Sequence, residues 1–196
     1  IVISDEIKDD AEQTISGLKK LGVSKTVMLT GDNQRSAEIV ASKLSLDKVY
    51  AQLLSEDKLR IVEELHDELA QNNKKTGKKG TLIFTGDGIN DAPVLARADA
   101  GIAMGSMGSD AAVESADIII MEDKPSKIVE GIKISRRTLR IVYENLIGSL
   151  GIKGVILILS ALGISNMWLA VFGDVGVTIL AVLNCLRLFS KTRGEK

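Results

Sequence analysis

Leu146 to Ile164 and Met167 to Phe189 are two apolar runs, 19 and 23 residues long, with only Ser165 and Asn166 between them. As a helix, each is long enough to cross a hydrocarbon core of about 30 Å. The two-residue gap forces the pair into a tight antiparallel hairpin. Between Leu146 and Phe189 the ionisable side chains are Lys153, Asp174, Cys185 and Arg187. Arg136, Arg137 and Arg140 precede the hairpin, and Arg187, Lys191, Arg193 and Lys196 close it. The positive-inside tendency then puts both ends in the cytoplasm. A pair of buried core helices is the alternative, disfavoured because the rest of the chain offers little to cover them.

Up to about Asn145 the 196-residue chain is a mixed, charged globular sequence, long enough for one soluble domain with a core. A net charge of -1 and an aromatic content of 3% give no basic excess and no stacking platform, so no nucleic-acid partner is expected. Cys185 is the one cysteine, which permits no internal disulfide and fits a reducing cytosol. The sequence opens on Ile1 with no signal-like segment, so it reads as a piece of something longer.

Short β-rich runs alternate with helical patterns in this first part, as a parallel α/β sheet requires. Helical spacing covers about Ile7 to Leu21 and Glu56 to Leu69, the turn Thr30-Gly31-Asp32-Asn33 opens a helix through about Leu44, and a polar loop runs from Gln71 to Gly80. Strands are expected at Lys25–Thr30, near Val49, at Thr81–Thr85, Ala100–Met104 and Asp117–Met121. A helix begins near Asn90, where Pro93 is tolerated in the first turn, and another covers about Ser109 to Ser115. A long helical pattern carrying Lys133, Arg136, Arg137 and Arg140 follows Pro125. His66 reads as a solvated helix residue.

Three polar groups stand where a parallel sheet places reactive ones, at the carboxyl ends of strands. In Thr30-Gly31-Asp32, a hydroxyl and backbone N–H groups at a helix start suit a phosphate oxygen. Lys58, in the opening turn of its helix, is a point charge able to neutralise a transferring phosphoryl group. Gly86-Asp87-Gly88-Ile89-Asn90-Asp91 sets two carboxylates four residues apart in a glycine-rich turn, which suits a hard cation such as Mg²⁺. Any one of these alone is an ordinary turn or a solvated lysine; their order and their placement after strands give them weight together.

In that order the residues resemble the haloacid-dehalogenase-like phosphotransferase fold, whose later motifs are a Ser/Thr, a Lys and an acidic pair. Met28-Leu29-Thr30-Gly31-Asp32-Asn33 and the nine-residue Thr85-Gly86-Asp87-Gly88-Ile89-Asn90-Asp91-Ala92-Pro93 are similar to two signatures of P-type ATPases. The resemblance implies that Thr30 contacts an aspartyl-phosphate and that Lys58 stabilises it. It makes Asp87 the direct Mg²⁺ ligand, with Asp91 and Asn90 holding the loop, and Asp32 structural and close to ATP. The family's nucleophile is an Asp in an Asp-Lys-Thr-Gly-Thr string, which does not occur here. These 196 residues alone are therefore expected not to turn over ATP.

An ionisable residue inside a span is costly and points to function. Lys153 lies about 12 residues before the hairpin turn and Asp174 about 9 after it. At about 1.5 Å per residue, the depths are about 18 and 14 Å, so the two can face one another near mid-bilayer. A charge pair that merely fixes helix registration is the alternative. Trp168 to Gly176, followed by Leu183-Asn184-Cys185-Leu186-Arg187-Leu188, resembles the last helix of the zinc/cadmium/lead-exporting P-type ATPases. Gly151-Ile152-Lys153 resembles part of the helix before it. There the Asp is a ligand of the transported ion and the Lys its built-in counter-ion, roles this implies for Asp174 and Lys153. Gly173 stands where many relatives carry Ala, a change expected to be neutral. Copper exporters would show a Met followed by paired Ser in the last helix, and a carboxylate favours a divalent ion over Cu(I).

The expected architecture is an α/β haloacid-dehalogenase-like (Rossmann-like) parallel sheet followed by a two-helix transmembrane hairpin. Residues 1–124 would be the C-terminal part of a cytosolic phosphorylation domain, 125–145 a connecting basic helix, 146–189 the last two transmembrane helices and 190–196 a cytosolic tail. The resemblance implies a multi-pass pump of the plasma membrane that exports Zn²⁺, Cd²⁺ or Pb²⁺. It would use ATP and Mg²⁺ and work with an upstream nucleotide-binding domain and earlier transmembrane helices. A haloacid-dehalogenase-like phosphatase and a non-catalytic membrane-anchored fragment are the alternatives.

Overall fold

The computed structural model describes residues 7–86, 89–105, 114–164 and 166–192. By compactness they form two units that divide between Glu130 and Gly131.

In the first unit, five short parallel strands alternate with helices. The elements are α1 (Ala11–Lys20), β1 (Val27–Leu29), α2 (Gln34–Lys43), β2 (Lys48–Tyr50), α3 (Ser55–Thr76), β3 (Ile83–Gly86), a 3₁₀ turn (Ile89–Asp91), α4 (Ala92–Arg97), β4 (Ala100–Met104) and β5 (Ile118–Ile120). β1 pairs with β2 in parallel, Met28 opposite Val49. β3, β4 and β5 form a second parallel sheet, with Thr85 opposite Ile102 and Ala103 opposite Ile119. Among the described residues β1 and β3 therefore each carry a strand on one edge only.

The carboxyl ends of these strands carry the polar motifs, while an Asp staples each amino end. Asp47, one residue before β2, accepts from the Thr26 backbone N–H at 2.7 Å and from its hydroxyl at 2.6 Å. Asp99, one residue before β4, accepts from Leu82 N–H at 2.8 Å. Asp117, one residue before β5, accepts from Gly101 N–H at 2.9 Å. Each carboxylate satisfies a backbone donor of the neighbouring strand that the short ladder has not reached. The Thr26 donors hold the Asp47 carboxyl below its usual range. Leu82 N–H, and then His66, do the same for Asp99.

The core lies where α4 packs against α3 and against the second sheet. Val62 of α3, Val94 and Leu95 of α4 and Ala103 of β4 are almost fully buried. α4 sits tight because Gly101 has no side chain: a Cβ there would lie 2.5 Å from the Leu95 carbonyl oxygen.

Three local expectations change. α1 begins at Ala11 rather than Ile7. α3 continues to Thr76 before Gly77 ends it in a left-handed turn, so much of the polar stretch after Gln71 is helix. Its charged residues are helix formers, and polarity alone does not distinguish a solvated helix from a loop. His66 is not merely solvated; its Nε2 lies 3.2 Å from Asp99 Oδ1. The helix expected at 109–115 falls largely outside the described residues.

α5 (Ser126–Ala161) begins in the first unit, where its first N–H is capped by Asp10 at 2.9 Å. Ser126 holds the Asp10 carboxyl below its ordinary value, as a helix N-terminus does for an anion.

The second unit holds most of α5, α6 (Met167–Val171), a π-helical turn (Phe172–Gly176) and α7 (Val177–Thr192). Asn166 caps α6 through Leu169 N–H at 2.9 Å. Ser126–Ala161 and Met167–Leu188 are both long and apolar enough to cross a membrane, and very little of either apolar window is buried. Leu146, Ile147, Leu157, Ile158, Leu180 and Leu183 all stand more than half exposed. A core helix of a water-soluble protein hides such side chains, whereas a helix solvated by lipid presents them outward.

Candidate phosphoryl-transfer and ion sites

Thr30 closes β1. Its N–H donates to the Tyr50 carbonyl at 3.0 Å and its own carbonyl accepts from Leu53 N–H at 3.1 Å. Its hydroxyl donates to Asp32 Oδ2 at 2.9 Å and accepts from Asp32 N–H at 3.1 Å. This local ring fixes the hydroxyl at the turn, the kind of side-chain-to-backbone bond that Ser and Thr make readily. Asn33 then caps α2 by accepting from Ser36 N–H at 2.9 Å. The Asp32 carbonyl takes Gln52 N–H at 2.8 Å. Gln52 sits at φ +57°, in the left-handed region that costs a non-glycine residue about 1 kcal/mol. Nothing in the sequence around Gln52 signals that conformation.

Lys58 lies in the first turn of α3, opened by a half capping box in which Leu54 N–H donates to Asp57 Oδ2 at 3.2 Å. Its Nζ donates to Asp91 Oδ1 at 2.7 Å. The side chains are only 17% and 11% exposed, so the pair is largely shielded from water. A Cβ on Gly86 would meet Asp91 Cβ and Oδ2 at 2.8 Å. Glycine at the end of β3 is thus what lets the Asp91 carboxylate lie against the strand.

Of the expected residues, Thr30, Gly31 and Asp32 meet in one turn, and Lys58 meets Asp91. Asn90 stands exposed in the 3₁₀ turn. Asp87 lies outside the described residues. The Asp91 carboxylate is held by Lys58, and among the described residues no three Asp, Glu, His or Cys side chains converge on a metal position, so the Mg²⁺ expected here would need Asp87.

In the second unit Lys153 Nζ donates to Asp174 Oδ1 at 3.2 Å. Asp174 lies within the π-helical turn, a local widening common at functional positions. Its carbonyl accepts the Thr178 hydroxyl at 2.7 Å. Its side chain is 79% exposed in the chain by itself, which leaves carboxylate surface beyond the Lys153 contact. Gly173 is buried, and a Cβ there would come within 2.4 Å of Ile156 Cδ1. An alanine there requires only the tip of the flexible Ile156 side chain to turn aside.

Parallel α/β strands followed by a Thr–Asp turn and a shielded Lys–Asp pair are the build of a haloacid-dehalogenase-like domain. Residues 1–99 match the model of the haloacid dehalogenase-like hydrolases, and the chain belongs to that family. Over 188 residues, 96% of the chain, it is 55% identical to the cadmium, zinc and cobalt-transporting ATPase of Bacillus subtilis (strain 168) and 50% identical to the zinc-transporting ATPase of Synechocystis. It spans about a quarter of those relatives, 26% and 25% of their length. The crystal structure of a zinc-transporting PIB-type ATPase in an E2.Pi state superposes with a TM-score of 0.83 at 39% identity. That alignment covers 94% of this chain and 28% of the other.

Proposed function

We propose that this chain is the C-terminal quarter of an ATP-driven pump that exports a soft divalent metal, Zn²⁺, Cd²⁺ or Pb²⁺, across the plasma membrane. The observation that carries this reading is the Lys153–Asp174 pair between two apolar helices, in a chain whose other part has a phosphotransfer fold. A soluble phosphatase has no use for such helices.

On this reading residues 1–124 complete a cytosolic phosphorylation domain and 125–145 connect it to the bilayer. Residues 146–189 are the last two spans of a multi-pass protein and 190–196 a cytosolic tail. The half-paired edges of β1 and β3 support a further strand between them, brought by the upstream part of the pump and ending in the nucleophilic Asp. That carboxylate oxygen attacks the γ-phosphorus of ATP, the bond to the β–γ bridging oxygen breaks, and ADP leaves with the electron pair. The Thr30 hydroxyl and Gly31 N–H hold a phosphoryl oxygen, and Lys58 offsets the charge that develops on it. Asp32 fixes the Thr30 hydroxyl, while Asn90 and Asp91 shape the loop. Asp87 and Asp91 would hold Mg²⁺, which neutralises phosphate charge when bound. Water then attacks the phosphorus of the aspartyl-phosphate, its bond to the carboxylate oxygen breaks, and inorganic phosphate leaves the restored carboxylate.

In the membrane the Asp174 carboxylate grips the divalent ion, and Lys153 compensates the carboxylate once the ion has gone. Copper(I) is disfavoured by the carboxylate ligand. The test is phosphoenzyme formation from γ-labelled ATP. The full-length protein should form an acid-stable, hydroxylamine-sensitive phosphoenzyme in the presence of Zn²⁺. These 196 residues alone should form none, and stoichiometric labelling of them would refute the proposal.

A further inference from the structure

Asn145, just before the first apolar run, and Asn184, within the second, meet across the two helices. Asn184 Nδ2 donates to Asn145 Oδ1 at 2.8 Å. Asn145 Nδ2 donates in turn to the Ala181 carbonyl at 3.2 Å and contacts Cys185 Sγ at 3.3 Å. Arg187 donates to Asn184 Oδ1 at 2.9 Å and lies 3.6 Å from Glu144 Oε2, which also faces Asn184 Nδ2 at 3.4 Å. Arg137 donates to the Arg187 carbonyl. Both asparagines are half-buried, whereas Leu146, Ile147, Leu183 and Leu186 beside them are more than half exposed. Along this stretch the polar side chains turn toward the partner helix and the apolar ones away from it.

We infer that Asn145 and Asn184, braced by Arg187 and Glu144, form a hydrogen-bonded clasp that sets the register of the two helices and so places Lys153 opposite Asp174. They are positioning residues for the ion site, an inference that rests on the pump reading. Lipid tails are as apolar as leucine, so burial of apolar surface does not choose between registers in a bilayer. Polar pairs and close small-residue contacts choose instead. Asn145 precedes Lys153 by eight residues and Asn184 follows Asp174 by ten, about 12 and 15 Å along antiparallel helices. The two contacts are therefore rungs of one ladder. A slip of one helical turn, about 5.4 Å, breaks both.

The clasp is tested in the full-length protein reconstituted in vesicles, with Asn145→Ala, Asn184→Ala and the double variant. Each single variant should raise the Zn²⁺ concentration for half-maximal ATPase stimulation about three- to tenfold. The maximal rate should stay within about twofold, and the double variant should be little worse than either single one, because the bond between the two asparagines is already lost in each. An unchanged half-saturation, or strictly additive effects, overturns the clasp. A second readout needs neither ATP nor metal. In a Cys185→Ser background, Ile156→Cys and Gly173→Cys should crosslink in the wild-type clasp, and the yield should fall at least about threefold when both asparagines become alanine. Full crosslinking in their absence also overturns the inference. Wild-type protein with no zinc-stimulated ATPase sinks the pump reading instead, and the crosslink still decides the register.

Discussion

Lys58 and Asp91 are joined by a 2.7 Å ion pair that runs from the opening turn of α3 to the 3₁₀ turn after β3. Thirty-three residues separate them in the chain. The bond ties the opening turn of α3 to the loop that carries the acidic motif.

Breaking that pair from one side strands a shielded charge, which costs more than the pair itself contributes. Lys58→Met should destabilise the protein by about 1–3 kcal/mol. Adding Asp91→Leu should recover part of that loss, while either variant abolishes phosphoenzyme formation. Thermal or urea unfolding of the single and double variants measures the stability part, and labelling from ATP measures the rest.

Gly86→Ala places a methyl group 2.8 Å from the Asp91 carboxylate. The carboxylate must move, so phosphorylation should fall by at least about tenfold, on the scale that misplacement of a catalytic group produces. The far-ultraviolet circular dichroism should stay that of the wild type. A variant with full phosphorylation would show that Asp91 has no fixed place in the reaction.

The staples at the amino ends of the strands make stability depend on pH in a defined direction. Asp47 and Asp99 both have their carboxyls held below the usual range in the folded state. The unfolded chain then binds the proton at higher pH than the folded one. Their contribution is complete above the unfolded value, about 3.9, and is lost as pH falls through the lower folded values. The melting temperature of Asp99→Asn should lie below wild type at pH 7, and the gap should close on acidification.

Much of this was legible in the sequence for physical reasons. The length of the two apolar runs, the strand-then-glycine punctuation and the nine-residue acidic motif are local signals, and they placed β3, β4, Lys58 and Asp91 within a few residues. What the sequence hid is what only packing creates. The left-handed Gln52 is fixed by its bond to Asp32, and the value of Gly86 lies in the carboxylate folded back on it. The Asn145–Asn184 bond left a readable sign, one asparagine just before the first apolar run and one within the second, but pairing them requires the register.

Gly173 makes a close-packing prediction beside Asp174. Gly173→Val should push Ile156 away, separate the helices and reduce zinc-stimulated ATPase severely, since small residues let membrane helices approach. Ile156→Ala should restore part of the activity of the Gly173→Val variant by making room for the added side chain. ATPase titrations with Zn²⁺ of the single and paired variants check both outcomes.

The most direct measurement is ATP-driven uptake of Zn²⁺ into inside-out vesicles that hold the full-length protein, wild type against Asp174→Ala. Wild-type vesicles should accumulate zinc, and the variant should accumulate none while still reaching the membrane in equal amount. Uptake by Asp174→Ala at the wild-type rate would contradict the idea that this carboxylate holds the cargo.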